Sequence, residues 1–193
     1  MTGQKNRFKT TERLWDLDDK QLKTPTHDAM VLWMMDEDNL LNYWKIFELP
    51  TRFEYNEYLN HKIGYKEVPH SFMGLHVDSE QPIMSSPTFI AGYADLIVTP
   101  VYAYRFEDIK GVMECDRHSC LIEIKPYIDS FGAVLRQVKS YEKFWKKTSW
   151  TKKLAIFTFD DRFDAQFKSQ GIEVLHPPED MSVEDMIEMY GLR

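Results

Sequence analysis

The stretch from Ser130 to Lys147 constrains the fold of this chain more than any other. Phe131, Val134, Leu135, Val138, Tyr141 and Trp145 recur at spacings of three and four, with lysines opposite, so one helical face is apolar and the other charged. Upstream, Cys120-Leu-Ile-Glu-Ile-Lys125 reads as a strand, stopped by Pro126, which has no N–H to give to a ladder. Downstream, Leu154-Ala-Ile-Phe-Thr-Phe159 reads as a buried strand. Strand, helix, strand in close succession calls for a sheet covered by helices, which is an α/β architecture.

The rest of the chain extends that pattern. Residues 1–23 are polar and charged without a clear period, and suit a loose arm or a short helix. Thr24-Pro25-Thr26 looks like a helix start, with Asp28 favourably near the positive end of the dipole. Met30, Val31, Trp33, Met34, Leu40, Leu41, Trp44 and Phe47 supply apolar contacts, Asp36-Glu-Asp-Asn39 divides the run into two helices, and Pro50 ends it. Residues 52–72 are mixed in pattern. Strand signals then begin with Glu80-Gln-Pro-Ile83 and with Thr88 to Val98, separated by Ser-Ser-Pro and ended by Thr99-Pro100. Val101 to Ile109 extends a hairpin whose tip is Lys110 to Ser119. After Phe159 come a short helix over Asp161 to Gln170 closed by Gly171, a strand over Ile172 to Leu175, and an acidic helix over Ser182 to Tyr190. The expectation is one domain over 1–193. Within it, 1–50 is a helical extension, 78–175 an α/β core with a central mixed sheet flanked by helices, and 180–193 a terminal helix.

At 193 residues and 43% apolar the chain can bury the core of one such domain. No run of 18 uncharged apolar residues exists, and no hydrophobic segment follows the charged N-terminus. A soluble protein of the cytoplasm is expected, or of the host cell interior if the chain is viral, without a membrane partner. Cys115-Asp-Arg-His118-Ser-Cys120 holds three soft ligands, but a closed zinc site needs a fourth, so the segment reads as a polar loop with reduced thiols. The net charge of −7 argues against a nucleic-acid partner until its distribution is considered. From Val134 to Lys153 seven basic residues face Glu142 alone, a net +6, which leaves −13 on the remainder. Most charge runs are solvated helix faces. This one shares its helix with Gln137 and Tyr141.

Glu123 and Lys125 lie two apart on a strand and so leave the same face, while Ile124 points away. Asp95 ends a preceding apolar run and meets them if the two runs are neighbouring strands. Phosphodiester hydrolysis needs an activated water and charge neutralised on the scissile and leaving oxygens, which Mg²⁺ or Mn²⁺ held by carboxylates provides. Asp95 and Glu123 are the candidate carboxylates, and the backbone carbonyl of Ile124 is a third hard ligand. Lys125 is either a base of lowered pKa or a charge that orients water and stabilises the phosphorane. A Glu-x-Lys tripeptide alone is usually a surface pair of opposite charges. Here the strand is otherwise apolar, Gly-x-x-Asp precedes it, and a helix with Gln137 and Tyr141 on one face follows.

Gly92-Tyr-Ala-Asp95, Glu123-Ile-Lys125 and Gln137-Val-Lys-Ser-Tyr141, in that order, resemble the PD-(D/E)XK nuclease superfamily, and more narrowly its RecB-like exonuclease branch, which includes the nucleases of CRISPR adaptation. The resemblance covers roughly residues 78–160. It implies a restriction-endonuclease-like core, a Mg²⁺- or Mn²⁺-dependent deoxyribonuclease, metal on Asp95 and Glu123, a catalytic Lys125, and Gln137 and Tyr141 arranging the site or touching the DNA backbone. It also implies one more metal ligand. His27 is the first candidate, with His76 behind it, since the branch often uses a histidine from an earlier helix; Glu80 is the alternative, since other members use a glutamate. The chain departs from iron-sulfur members in lacking their cysteines and from helicase-nucleases in lacking a phosphate loop, so neither a cluster nor a nucleotide cofactor is expected. Arg136, Lys139, Lys143, Lys146 and Lys147 would then grip the backbone of DNA near the scissile phosphate. Trp145 and Trp150 lie among these lysines, with Trp145 on the apolar stripe and therefore assigned to the core. No groove-reading motif is present, so recognition would be of backbone, ends or shape. A homodimer is compatible, because two cuts on a duplex are often made by two subunits.

Two other readings keep the fold. In one the chain is a catalytically inactive nucleic-acid-binding or assembly module, which the complete acid, acid, lysine set disfavours. In the other it is the nuclease subunit of a transposition or viral DNA-processing complex in which a partner chooses the target.

Overall fold

One mixed sheet organises the computed structural model, which describes residues 25–43, 70–106, 109–114, 119–145 and 153–192, with side chains for all of these except 37, 70–73, 102–106 and 109–114. Its strands are β1 (His70–Ser86), β2 (Phe89–Phe106), β3 (Ile109–Glu114), β4 (Cys120–Ile124), β5 (Lys153–Phe157) and β6 (Ile172–Leu175). They are ordered β1-β2-β4-β5-β6, with β3 paired to the far half of β2. β1, β2 and β4 alternate in direction, whereas β4, β5 and β6 run parallel. Each parallel step needs a crossover, and the helices α3 (Phe131–Phe144) and α4 (Asp164–Ser169) supply them. The remaining described helices are α1 (Pro25–Met35), α2 (Glu37–Asn42) and α5 (Val183–Met189).

The sheet separates two apolar layers. On one face α1 packs with Leu96, Val98, Cys120, Ile122, Ile124, Ala155 and Phe157, and with Met186 of α5. Ala29 to Met35 are buried without a break, so α1 is a central helix rather than a surface one. Trp33 stacks on Phe157 with ring centroids 5.5 Å apart, and deleting such a ring costs about 3–5 kcal/mol. On the other face Val134, Val138, Tyr141 and Trp145 pack on Ile97, Leu121, Leu154 and Ile156. The apolar stripe read from the sequence is the buried face of α3, and Trp145 belongs to the core as expected.

Local chemistry fixes where α3 begins. Ser130 caps it by accepting from the backbone N–H of Ala133. The loop between Lys125 and α3 is pinned at Ile128, whose N–H donates to Asp160 Oδ2 at 3.1 Å and whose carbonyl accepts from Arg162 Nη2 at 3.0 Å. Arg162 Nη2 also donates to Asp160 Oδ2 at 2.6 Å, and these bonds hold the Asp160 carboxyl well below its ordinary range. The start of α3 is thereby held in place relative to the end of β4.

Several expected boundaries move. Asp36 divides α1 from α2 as anticipated, by capping Asp38 N–H. β2 does not stop at Thr99-Pro100 but runs on to Phe106. Pro100 is tolerated because, on the edge facing β3 and β4, it falls between the ladder at Leu96–Val98 and the one at Val101–Phe106. Thr99 Oγ1 and Ser119 Oγ bridge the gap at 2.8 Å. The expected hairpin tip contains β3, and β1 begins at His70, ten residues before the first strand signal read at Glu80. α4 is shorter than expected at both ends, though Gly171 closes it at φ +72. Cys120 is a buried free thiol on β4, pushed well up by burial, while Cys115 and His118 lie outside the described residues. So do the arm over 1–23, Trp44, Phe47, Pro50, Lys146, Lys147 and Trp150, and most of the mixed stretch over 52–72. Among the described residues no helix is long and apolar enough to cross a membrane.

Candidate functional site

Alternation along β2 changes phase at Asp95. Leu96 and Val98 pack into the α1 layer and Ile97 into the α3 layer, yet Ala94 also packs into the α3 layer. Opposite, on β1, Glu80 adopts φ +50 between the pairs Ser79–Leu96 and Gln81–Ala94. A side chain at such a change of phase sits between the layers, and Asp95 is half-buried there. Its Oδ2 accepts from Ile124 N–H of β4 at 2.7 Å, and its Oδ1 lies 3.3 Å from His27 Nε2 of α1. Asp28 Oδ1, 3.3 Å from His27 Nδ1, holds the other side of the ring. Burial alone would push the imidazole down, but the bonds and charges of Asp28 and Asp95 outweigh it and raise His27 to about 9. Without a metal it is an imidazolium across the neutral range.

Glu123 leaves β4 on the opposite face from Ile122 and Ile124, toward α3, and is almost completely buried. Its Oε1 accepts from Lys125 Nζ at 2.7 Å and from Gln137 Nε2 at 2.6 Å. Its Oε2 is buried with no hydrogen-bond partner. Burial, and then the charge of Asp95, push this carboxyl up to about 7 against the pull of Lys125 and His27. Lys125 behaves oppositely to a buried lysine alone: burial lowers it, but Glu123 and Asp95 win and raise it. In the metal-free protein this favours the ammonium form, the direction that suits a charge orienting water rather than a base of lowered pKa.

Gln137 and Tyr141, one turn apart on α3, complete the set. Gln137 Nε2 also donates to Tyr141 Oη at 2.9 Å, which ties the phenol into the cluster. Burial pushes that phenol up, against the Gln137 bond, and it stays neutral. Gly92 has a specific task here. A Cβ at that position would stand 2.6 Å from Tyr141 Cε1 and 2.8 Å from its hydroxyl, so the ring lies where a side chain would be.

Two contact sets thus lie side by side: Lys125, Gln137 and Tyr141 around Glu123, and His27 with the Ile124 N–H around Asp95, whose charge acts on Glu123. Glu80, the alternative to His27, is exposed and takes no part in them. His76 pairs with Asp78 on β1 at 3.4 Å. Of the basic residues, Arg136 and Lys143 are exposed on α3 beside the Gln137 face, and Lys139 donates to Glu142 at 2.9 Å. Two contributions escaped the sequence reading: Asp28 as a brace for His27, and Gly92 as the seat of the Tyr141 ring. Neighbours on a helix rarely face each other, so the first had no spacing signal. The second was visible only as a motif glycine.

The donor set can be matched against a cation. Among the described residues no three His, Cys, Asp or Glu side chains are grouped closely enough to hold a metal ion by themselves. A small hard cation needs fewer, since Mg²⁺ keeps several waters and takes one or two carboxylates. A buried carboxylate whose charge is disfavoured by a neighbouring carboxylate, and which keeps a buried unpartnered oxygen, is what such an ion compensates. The N–H and C=O of one extended residue leave the same edge of a strand, so the Ile124 carbonyl faces Asp95 as its N–H does. His27 could join once deprotonated. The chain has no match among family models, curated proteins or solved structures.

Proposed function

We propose that this chain is a divalent-metal-dependent nuclease that hydrolyses phosphodiester bonds of DNA, on a restriction-endonuclease-like core. The observation that carries the reading is the convergence of Asp95, Glu123 and Lys125 from adjacent strands, with Gln137 and Tyr141 closing over them from α3. The sheet supports it: two antiparallel steps followed by a parallel one bring the C-terminal end of β4 beside Asp95, which lies within β2 rather than at its end, beneath one crossover helix.

Asp95, Glu123 and the Ile124 carbonyl would hold Mg²⁺ or Mn²⁺, with His27 as an additional ligand. When bound, the ion supplies an acidified water and neutralises charge on the phosphate oxygens. The chain's own groups do the rest. Lys125, fixed on Glu123 Oε1, keeps an ammonium where the phosphorane's charge develops and can hydrogen-bond the attacking water. Gln137 fixes the rotamer of Glu123 by donating to the same oxygen, and Tyr141 in turn fixes Gln137. Water adds to phosphorus, one P–O ester bond breaks, and the leaving oxygen takes up a proton, giving a phosphomonoester and a hydroxyl. Arg136 and Lys143 stand on the exposed side of α3 to neutralise neighbouring phosphates.

A digest of end-labelled linear, circular, single-stranded and branched DNA tests this. Cleavage in Mg²⁺ or Mn²⁺, abolished by EDTA and by Asp95→Ala, is expected. DNA binding without cleavage by wild type would move the chain to an inactive binding module, cleavage unchanged by Asp95→Ala would overturn the assigned site, and rescue of an inactive protein by a partner would make it a subunit of a larger complex.

A further inference from the structure

On the α3 side of the sheet, next to the cluster, lies a cavity of about 380 Å³ that the reaction does not use. Ile83, Ile97, Phe144 and Trp145 form apolar walls, and Asp78 and Gln81 bring polar groups to them. Asp78 is paired across the strands with Ile97, and Gln81 with Ala94, so these two residues bracket the position of Asp95 on β2. Phe144 is three residues beyond Tyr141 on α3. The cavity is therefore one strand and one helical turn from the cluster, each step on the order of 5 Å. That is within reach of a nucleotide adjoining the one being cut.

Its chemistry selects among the parts of a nucleic acid. A phosphate is repelled by the Asp78 carboxylate. An alkyl chain would leave Asp78 and Gln81 unmatched. A nucleobase suits both, with apolar faces for the aromatic walls and N–H donors on its edge for the carboxylate. Asp78 has acceptor capacity beyond the oxygen that lies 3.4 Å from His76 Nε2, since a carboxylate offers about four lone-pair sites. Cytosine and adenine present an amino donor where thymine presents a carbonyl.

We infer that this cavity receives an unstacked nucleobase bearing an amino group, with Asp78 as its acceptor, and that the substrate is accordingly single-stranded or frayed beside the cut. The choice of ligand rests on the nuclease reading, but the test separates the two. Binding of labelled oligo-dC and oligo-dT is measured by fluorescence anisotropy in EDTA, and cleavage of the same strands is measured in Mg²⁺. Wild type should bind oligo-dC about tenfold more tightly, the discrimination that one good base contact gives. Asp78→Asn should abolish or reverse that preference while keeping oligo-dT affinity, and Met84→Trp, at the half-exposed rim, should weaken oligo-dC binding severalfold. Equal affinities in wild type, or a preference that survives Asp78→Asn, overturn the inference. Cleavage without preference sinks the pocket alone, preference without cleavage sinks the nuclease alone, and no binding to either strand sinks both.

Discussion

Replacing Glu123 by glutamine should make the metal-free protein more stable, and only at high pH. In the folded chain the carboxyl titrates near 7 instead of 4.5, because burial and Asp95 disfavour its charge. Below about pH 4.5 both folded and unfolded chains hold the proton, and the group contributes nothing. Between the two values the unfolded chain has released a proton that the folded chain keeps, so stability falls as pH rises. Above 7 the full cost is present. At 1.36 kcal/mol per pH unit it comes to about 3 kcal/mol. Glutamine has nearly the shape of the neutral acid, and its carbonyl can still accept from Lys125 and Gln137, so the variant escapes the cost. Thermal melting in EDTA should show wild type and Glu123→Gln nearly equal at pH 4.5 and the variant higher by roughly 6–12 °C at pH 8. Adding Mg²⁺ at pH 8 should raise the melting temperature of wild type and leave the variant where it was. A difference between the two proteins that does not change with pH would refute the reasoning, since it would mean that Glu123 carries no charge penalty in the fold.

The other predictions concern its neighbours. Lys125→Ala should lower the cleavage rate by at least about 100-fold, the usual loss when a group stabilising transition-state charge is removed, with metal affinity reduced far less; single-turnover kinetics beside calorimetry checks both. The His27 imidazole should titrate near pH 9 in EDTA by NMR, and its contribution to stability, complete below about 6.5, should decline above it and be lost as pH rises through about 9. If His27 joins the metal, adding Mn²⁺ at pH 8 should release a proton measurable by pH-stat. Gly92→Ala should cost about 1–3 kcal/mol in a denaturant melt by driving a methyl group into the Tyr141 ring, and Tyr141→Leu in the same chain should recover part of it.

The α3 stripe, the break at Asp36 and the closing glycine at 171 were legible because each depends on local spacing or a single backbone preference. The length of β2 was not. Pro100 is a reliable stop only if its N–H is needed, and whether it is needed depends on β3 and β4, which are remote in sequence. Order and spacing, matched to a family motif, nominated Asp95, Glu123, Lys125, Gln137 and Tyr141; in the fold the last four are hydrogen-bonded together, and Asp95 is tied to the same strand through the Ile124 N–H. Choosing between His27 and Glu80 required coordinates. Both candidates precede Asp95, but α1 crosses the sheet so that His27 reaches the carboxylate, whereas Glu80 sits at the kink of β1 with its side chain in solvent. The protonation state of Lys125 was equally out of reach, because it is a balance between burial and two carboxylates that no residue pattern encodes.

Binding of Mn²⁺ followed by electron paramagnetic resonance tests the central claim most directly, because it reads the cation itself. Wild type at pH 8 should take up the ion at submillimolar concentration, with the affinity reduced at least about tenfold in Asp95→Asn and in Glu123→Gln, the scale of loss on removing one carboxylate ligand. An Asp95→Asn protein that binds Mn²⁺ as tightly as wild type, or a wild type that binds none, would contradict it.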